Sequence, residues 1–277
     1  MITWIASYPK SGNTWMKLFL KSYFNSSDTS FSINSKIDDL FSVETFPVSK
    51  KFKMLNIDYK NFADIAKNWV NMQSLINLNN KTNYIKTHNA MCSINNYDFT
   101  NNKNTLGAIY IVRDPRDIAV SYSAFLGLKL DDTIDFLLSP SCYEEDVFEE
   151  IRYKKSVMGN WAYHYNSWKN YNSREVIIIK YEDMLGNPDK TFLKVLSFLN
   201  KIDNIKIDKK KMDEAINQTS FKNLQKLEIK EGFDENPSNK SFFRKGKIGE
   251  WKKILNKNQQ KRIEKEFSNE MKELGYL

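Results

Sequence analysis

The chain is 277 residues long, with 41% hydrophobic and 14% aromatic content; that allows one large α/β domain with a full core and excludes a disordered or low-complexity chain. No apolar run approaches the roughly 20 residues of a membrane span, and Cys92 and Cys142 are too few for a disulfide framework, so a protein of the reducing cytoplasm is expected. The net charge of +8 is mainly Lys spread along the whole chain, whereas three of the six Arg (Arg113, Arg116, Arg244) fall in motifs; this suits binding of a small polyanion at least as well as nucleic acid.

Ile2 to Ala6 is short, β-branched and aromatic, and reads as a buried strand. It follows Met1 at once, so no signal peptide is expected. From Thr14 the apolar residues Trp15, Leu18 and Phe19 fall on one helical face. The stretch between, Ser7-Tyr8-Pro9-Lys10-Ser11-Gly12-Asn13-Thr14-Trp15, is therefore a strand-loop-helix turn. Pro9 stiffens it, Gly12 lets backbone approach a ligand, and Thr14 is expected to cap the helix. Unpaired N–H groups at the positive end of the helix then make an anion cradle, with Lys10 as its movable charge. A P-loop would end in Gly-Lys-Ser/Thr; here Lys precedes Gly, which argues against a nucleotide kinase or NTPase.

Residues 26 to 80 mix Ser/Asn-rich turns with scattered aromatics: Phe31, Phe41, Phe46, Phe52, Tyr59, Phe62 and Trp69. They read as core packing, with some as candidates for an acceptor pocket. Asn83 to Thr87 is a second strand that brings Lys86, Thr87 and His88 to its C-terminal end, the edge where open parallel sheets bind ligands. His88 is one of two histidines and a candidate general base. Gly107 to Val112 is a third strand, followed by Arg113-Asp114-Pro115-Arg116-Asp117 and a helix in which Asp114 is the N-cap and Pro115 the first residue. Arg113 either pairs with Asp117 or reaches back to a second phosphate site that Ser121 approaches from the next turn.

From about Glu144 to Tyr171 the periodicity predicts a long helix with Trp161, Tyr165 and Trp168 in the core and His164 as a structural histidine. Glu175 to Lys180 reads as a central parallel strand covered on both faces. It leads into Tyr181-Glu182-Asp183, and Pro188 starts a helix to about Asn200. Residues 201 to 218 read as a Lys-rich loop and helix with Met212, Ala215 and Ile216 inward. Thr219-Ser220-Phe221 follows, and then Ser241-Phe242-Phe243-Arg244-Lys245-Gly246-Lys247, a basic loop that could close over a phosphate. A charged amphipathic helix is expected from about Asn258 to Leu274. Strands repeatedly followed by helices predict a single-domain α/β fold over 1–277, with a central, mostly parallel sheet flanked by helices and a P-loop-like element at its start.

Together these pieces resemble the cytosolic-type sulfotransferase family, which uses 3′-phosphoadenosine 5′-phosphosulfate (PAPS) as donor. Tyr8 to Trp15 looks like the family's 5′-phosphosulfate loop, Arg113 to Ser121 its 3′-phosphate strand-helix element, and Phe243 to Gly246 its Arg-Lys-Gly loop. The resemblance implies that Lys10, Ser11, Gly12, Asn13 and Thr14 hold the 5′-phosphosulfate while Trp15 stacks on adenine. Arg113, Ser121, Arg244, Lys245 and Gly246 would hold the 3′-phosphate, and Tyr181, Thr219 and Phe221 would contact the nucleoside and its phosphates. His88 matches the family's base and Lys86 the lysine of Lys-Thr-His, so the catalytic set would be His88, Lys10 and Lys86. The implied reaction is sulfuryl transfer to a hydroxyl, less readily an amine, of a small molecule, sugar or lipid-like alcohol, without a metal. Two departures matter. Asn89-Ala90 replaces the Leu-Pro that often follows the histidine, and Lys252 to Asn258 lacks the family's dimerisation pattern, so a monomer or a non-standard dimer is expected.

Overall fold

The computed structural model describes residues 1–25, 31–34, 45–47, 55–148, 150–235 and 241–277. Its strands, in chain order, are β1 (Ile2–Ser7), β2 (Asn83–Thr87), β3 (Ser93–Ile94), β4 (Tyr97–Asp98), β5 (Thr105–Val112), β6 (Tyr143–Phe148), β7 (Ile151–Val157) and β8 (Val176–Lys180). β1 is buried at all its positions, which is why it is apolar or small throughout rather than alternating with polar residues. Four strands pair in parallel in the order β2-β1-β5-β8. Their C-terminal ends are level, with Ala6 opposite Thr87, Ser7 opposite Ile111, and Val112 opposite Lys180.

The chain leaves β1 on one side to form β2 and returns on the other side to form β5. The switch point therefore lies between β1 and β5, and ligands bind such sheets in the crevice beyond the carboxyl ends of those strands. Because side chains alternate across a strand, the sheet feeds two cores. Trp4, Ala6 and Tyr110 face one that holds Ile118, Trp161, Trp168 and Phe267. Ile5, Ile109 and Ile111 face the other, filled by Trp15, Phe19, Phe192, Leu196 and Met212. The first helix, α1 (Asn13–Phe24), belongs to the second core, where Phe19 and Phe192 stack at 3.9 Å.

Two sequence expectations are corrected. The stretch from Glu144 to Tyr171 is not one helix: β6 and β7 form an antiparallel hairpin, with Glu144 opposite Ser156, and helix occupies only Trp161–Lys169. Asn160 sets that start, its side chain accepting from the Tyr163 N–H at 2.7 Å directly after Gly159 at φ +60°. The many charges of the hairpin masked its strands, while Trp161, Tyr165 and Trp168 are buried as expected. At the C-terminus one expected helix is two, Lys257–Glu266 and Ser268–Glu273, broken where fully buried Phe267 takes non-helical backbone angles.

Among the described residues, the aromatics of 26–80 are packing groups and none lines the cavity described below. Phe46 and Trp69 are fully buried, and Tyr59 and Phe62 brace the hairpin through Tyr153 and Tyr143. Phe41 and Phe52 lie outside the described residues.

Candidate active site

Beyond Ser7 the chain turns sharply, with Lys10 at φ +65° and Gly12 at φ +103°. Gly12, not Thr14, is the N-cap of α1, and no side chain caps that helix. The position demands glycine twice over. Its φ is left-handed, and a Cβ would stand 2.7 Å from the Tyr181 ring. With no acidic residue in the first turn, the positive end of α1 is presented to the crevice. Ser11 Oγ and Trp15 Nε1, both buried, have no hydrogen-bond partner.

At this edge Lys10 lays its ammonium over the rings of Phe125 and Phe242, at 3.9 and 4.6 Å. Burial first, then the charges of Lys86, Arg113 and Arg244, lower its pKa to about 7. Lys86 Nζ, delivered by β2, lies 3.2 Å from Thr14 Oγ1. One residue beyond β2, His88 places Nδ1 2.7 Å from the Ser7 carbonyl and 3.5 Å from Asn13 Nδ2. A carbonyl only accepts, so Nδ1 carries the proton and Nε2 keeps its lone pair. Burial pulls the His88 pKa down to about 4, and the largest opposing effect is that of Glu144. His164 is structural, as expected. Its Nε2–H donates to the His88 carbonyl and its Nδ1 accepts from the Tyr110 hydroxyl, each at 2.9 Å.

A second group of cations stands across the crevice. Arg113 does not pair with Asp117; its two terminal nitrogens donate to the carbonyls of Lys10 (2.9 Å) and Lys247 (3.2 Å). That ties the first loop to the basic loop. The guanidinium lies 4.2 Å from the Tyr181 ring centre, and its buried Nε has no hydrogen-bond partner. Arg116 is structural instead, held by Asp114 and Glu264. As expected, Asp114 is the N-cap of Pro115–Leu126.

The basic loop is pinned from three sides. Glu228 accepts from the N–H groups of Phe242 and Phe243, Gln225 donates to the Phe243 and Arg244 carbonyls, and Asp117 accepts from the N–H groups of Gly249 and Trp251. Glu250 pairs with Arg244 and Lys245.

One cavity of about 1010 Å³ joins these groups. Lys10, Gly12, Asn13, Thr14, Trp15, Lys86, His88, Arg113, Ser121, Tyr181, Phe221, Arg244, Lys245 and Gly246 all line it, as predicted residues brought together from six chain segments. Two others do not line it. Ser11 is buried beneath the loop, and Thr219 is fully buried with its hydroxyl donating to the Ala215 carbonyl.

Sequence reasoning missed the hairpin's share of the wall, which includes Glu144, Arg152 and Lys155, and also missed Glu235 and Glu250. Glu144 Oε2 is buried without a hydrogen-bond partner. Burial pushes the Glu144 pKa up, but Lys155, His88 and Lys86 outweigh it and hold the carboxyl below its usual range. The β-branched and aromatic ends of Tyr143–Val147 were the only sequence signal for this wall. Among the described residues no cluster of three or more His, Cys, Asp or Glu is arranged to hold a metal ion.

An uncapped helix start and a facing set of Arg and Lys, both at the switch point of a parallel sheet, define an α/β protein with a two-ended anion cleft. The sulfotransferase domain family model matches residues 2–275. This chain belongs to that family and is a sulfotransferase. It is 25% identical over 274 residues to Sulfotransferase 1B1 of Canis lupus familiaris, covering 96% of this chain and 82% of that one. It is likewise 25% identical over 282 residues to Cytosolic sulfotransferase 5 of Arabidopsis thaliana, covering 98% and 80%. Among solved structures, mouse sulfotransferase SULT7A1 complexed with PAP superposes with a TM-score of 0.62 at 21% identity, over 98% of this chain and 84% of that one. Retinol dehydratase in complex with androsterone and PAP gives 0.59 at 16%, over 98% and 80%.

Proposed function

We propose that this chain, as one sulfotransferase domain over 1–277, transfers the sulfuryl group of PAPS to a hydroxyl of a small acceptor in the cytoplasm. One observation carries the reading: two basic ends of a single cavity, with a neutral imidazole beside one of them. The residues fit the donor. Trp15 Nε1 and Arg113 Nε are buried polar atoms lacking partners, the uncapped start of α1 opens on the cavity, and the repulsion that Lys86, Arg113 and Arg244 exert on Lys10 is relieved by an anion between them. PAP in the solved neighbours supports the same donor.

The donor supplies a sulfuryl group on a phosphate leaving group, and in-line transfer leaves adenosine 3′,5′-bisphosphate. The loop residues Lys10 to Thr14 grip the 5′ end, with Lys10 neutralising charge as it gathers on the leaving oxygen. Lys86 steadies the sulfuryl oxygens. His88, held by Ser7 so that Nε2 is free, takes the acceptor proton, and Glu144 favours the imidazolium so formed. Arg113, Ser121, Arg244, Lys245 and Gly246 grip the 3′-phosphate, while Trp15, Tyr181 and Phe221 enclose the nucleoside. Thr219 supports them from within the core, its hydroxyl spent on the Ala215 carbonyl. The acceptor enters along the hairpin wall. The chain works as a monomer or through a dimer face other than the family's.

Labelled PAPS and a panel of hydroxylated acceptors test this. Labelled product is expected from the wild type, and His88→Ala should lose about 10² to 10⁴ in turnover while binding adenosine 3′,5′-bisphosphate normally. Near-normal turnover in that variant would remove His88 from the mechanism.

A further inference from the structure

We infer that Glu235 and Glu250 are internal counter-ions of the donor cleft, each holding the cations of one end in the free protein and releasing them when the donor binds. The inference rests on the PAPS reading. Glu250 bridges Arg244, at 3.2 and 2.7 Å, and Lys245, the two charged side chains assigned from the basic loop to the 3′-phosphate. Glu235 bridges Lys86, at 3.2 Å, and the buried Lys17 of α1. Both carboxylates line the cavity, with side chains only 14% and 17% exposed. Arg113 differs: its terminal nitrogens go to carbonyls, which a phosphate need not displace.

A carboxylate and a phosphate oxygen present the same lone pairs to an ammonium or a guanidinium. The donor must therefore take these cations from an anion already in place. A doubly charged phosphate wins that exchange where a weaker anion does not, so Glu250 sharpens discrimination for the 3′-phosphate. At the sulfuryl end Glu235 gives up Lys86 to the sulfuryl oxygens as PAPS binds. After transfer, the carboxylates reclaim their cations and ease release of the bisphosphate.

Glu250→Gln and Glu235→Gln test this by calorimetry with adenosine 3′,5′-bisphosphate, AMP and PAPS, beside thermal denaturation of the free proteins. Glu250→Gln should bind the bisphosphate about tenfold more tightly, with AMP within about twofold of the wild type because it lacks the competing phosphate. Glu235→Gln should leave the bisphosphate unchanged and tighten PAPS by about tenfold. Free Glu235→Gln should melt lower, since the buried Lys17 loses its carboxylate, and free Glu250→Gln should melt lower by less, since Arg244 and Lys245 are 35% and 47% exposed. A residue that only props up the fold would weaken binding and stability together. Glu250→Asp, which keeps the charge, should bind the bisphosphate as the wild type does. If the wild type binds the bisphosphate and both Gln variants bind their ligands no more tightly, the counter-ion role is wrong and the donor reading stands. If neither the wild type nor the variants bind either 3′-phosphorylated nucleotide, the donor reading fails and this inference falls with it.

Discussion

Lys10 gives up hydration to sit over two aromatic rings, and that decides how donor binding should respond to pH. In the free protein its pKa is lowered to about 7 by burial and by like charges. A bound anion reverses the balance and restores the ammonium. Above pH 7 donor binding must therefore bring a proton with it, and affinity must fall as pH rises. Calorimetry of adenosine 3′,5′-bisphosphate at about pH 8, in buffers of different ionisation enthalpy, should show uptake of about one proton. Lys10→Met should abolish it; equal uptake in that variant would place the proton elsewhere. His88 titrates in the other window. With its pKa lowered to about 4, it stays neutral across the ordinary range, so the acid limb of kcat/KM should not begin at the usual histidine value. Lys10, Lys86 and His88, the proposed catalytic residues, could be picked out in the sequence because each stands within a few residues of a strand's C-terminal end. Glu144, Glu235 and Glu250 could not. In a chain with charged residues spread along its length they look like solvated surface, and Lys17 meets Glu235 from 218 positions away.

The basic loop works as an element because one glycine lets it fold against an aromatic ring. Gly246 has φ +56°, and a Cβ there would stand 2.4 Å from Phe221. Gly246→Ala must therefore displace the ring and the backbone that carries Arg244 and Lys245. The expected result is a loss of bisphosphate affinity exceeding that of AMP by on the order of 1.5–3 kcal/mol, the worth of charge-assisted contacts, because AMP feels only the displaced Phe221 ring. Equal losses for both nucleotides would mean that the loop does not read the 3′-phosphate. Sequence placed this loop and the four sheet strands closely, since their apolar runs and turn residues agree with the fold they enter. The hairpin of β6 and β7 escaped because its charged positions hid the strand pattern, leaving the helical spacing of Trp161, Tyr165 and Trp168 to be extended backwards too far. The Asn160 cap, a purely local signal, marks where helix begins.

For the whole molecule, the buried His164 sets an acid limit. His164 is fully buried with its pKa lowered to about 3, below the unfolded value of about 6.5. Between those values the unfolded chain binds more protons, so this contribution is complete above about pH 6.5 and is lost as pH falls towards 3. By pH 5 the loss from His164 alone should approach about 2 kcal/mol. Denaturant unfolding at pH 7 and 5 should show it, and His164→Asn should flatten that part of the slope; an unaltered slope would contradict it.

The molecule is organised so that loops after β1, β2, β5 and β8 converge on one crevice, which the basic loop closes from the far side. The central claim is that this crevice holds one adenosine by phosphates at both ends. The most direct measurement is the affinity of the wild-type protein for adenosine 3′,5′-bisphosphate against AMP, by calorimetry in the presence of a chelator. Binding of the bisphosphate at least about tenfold tighter than AMP is predicted, from one charge-assisted contact at the 3′ end. Equal affinities, or no binding of either, would contradict the account.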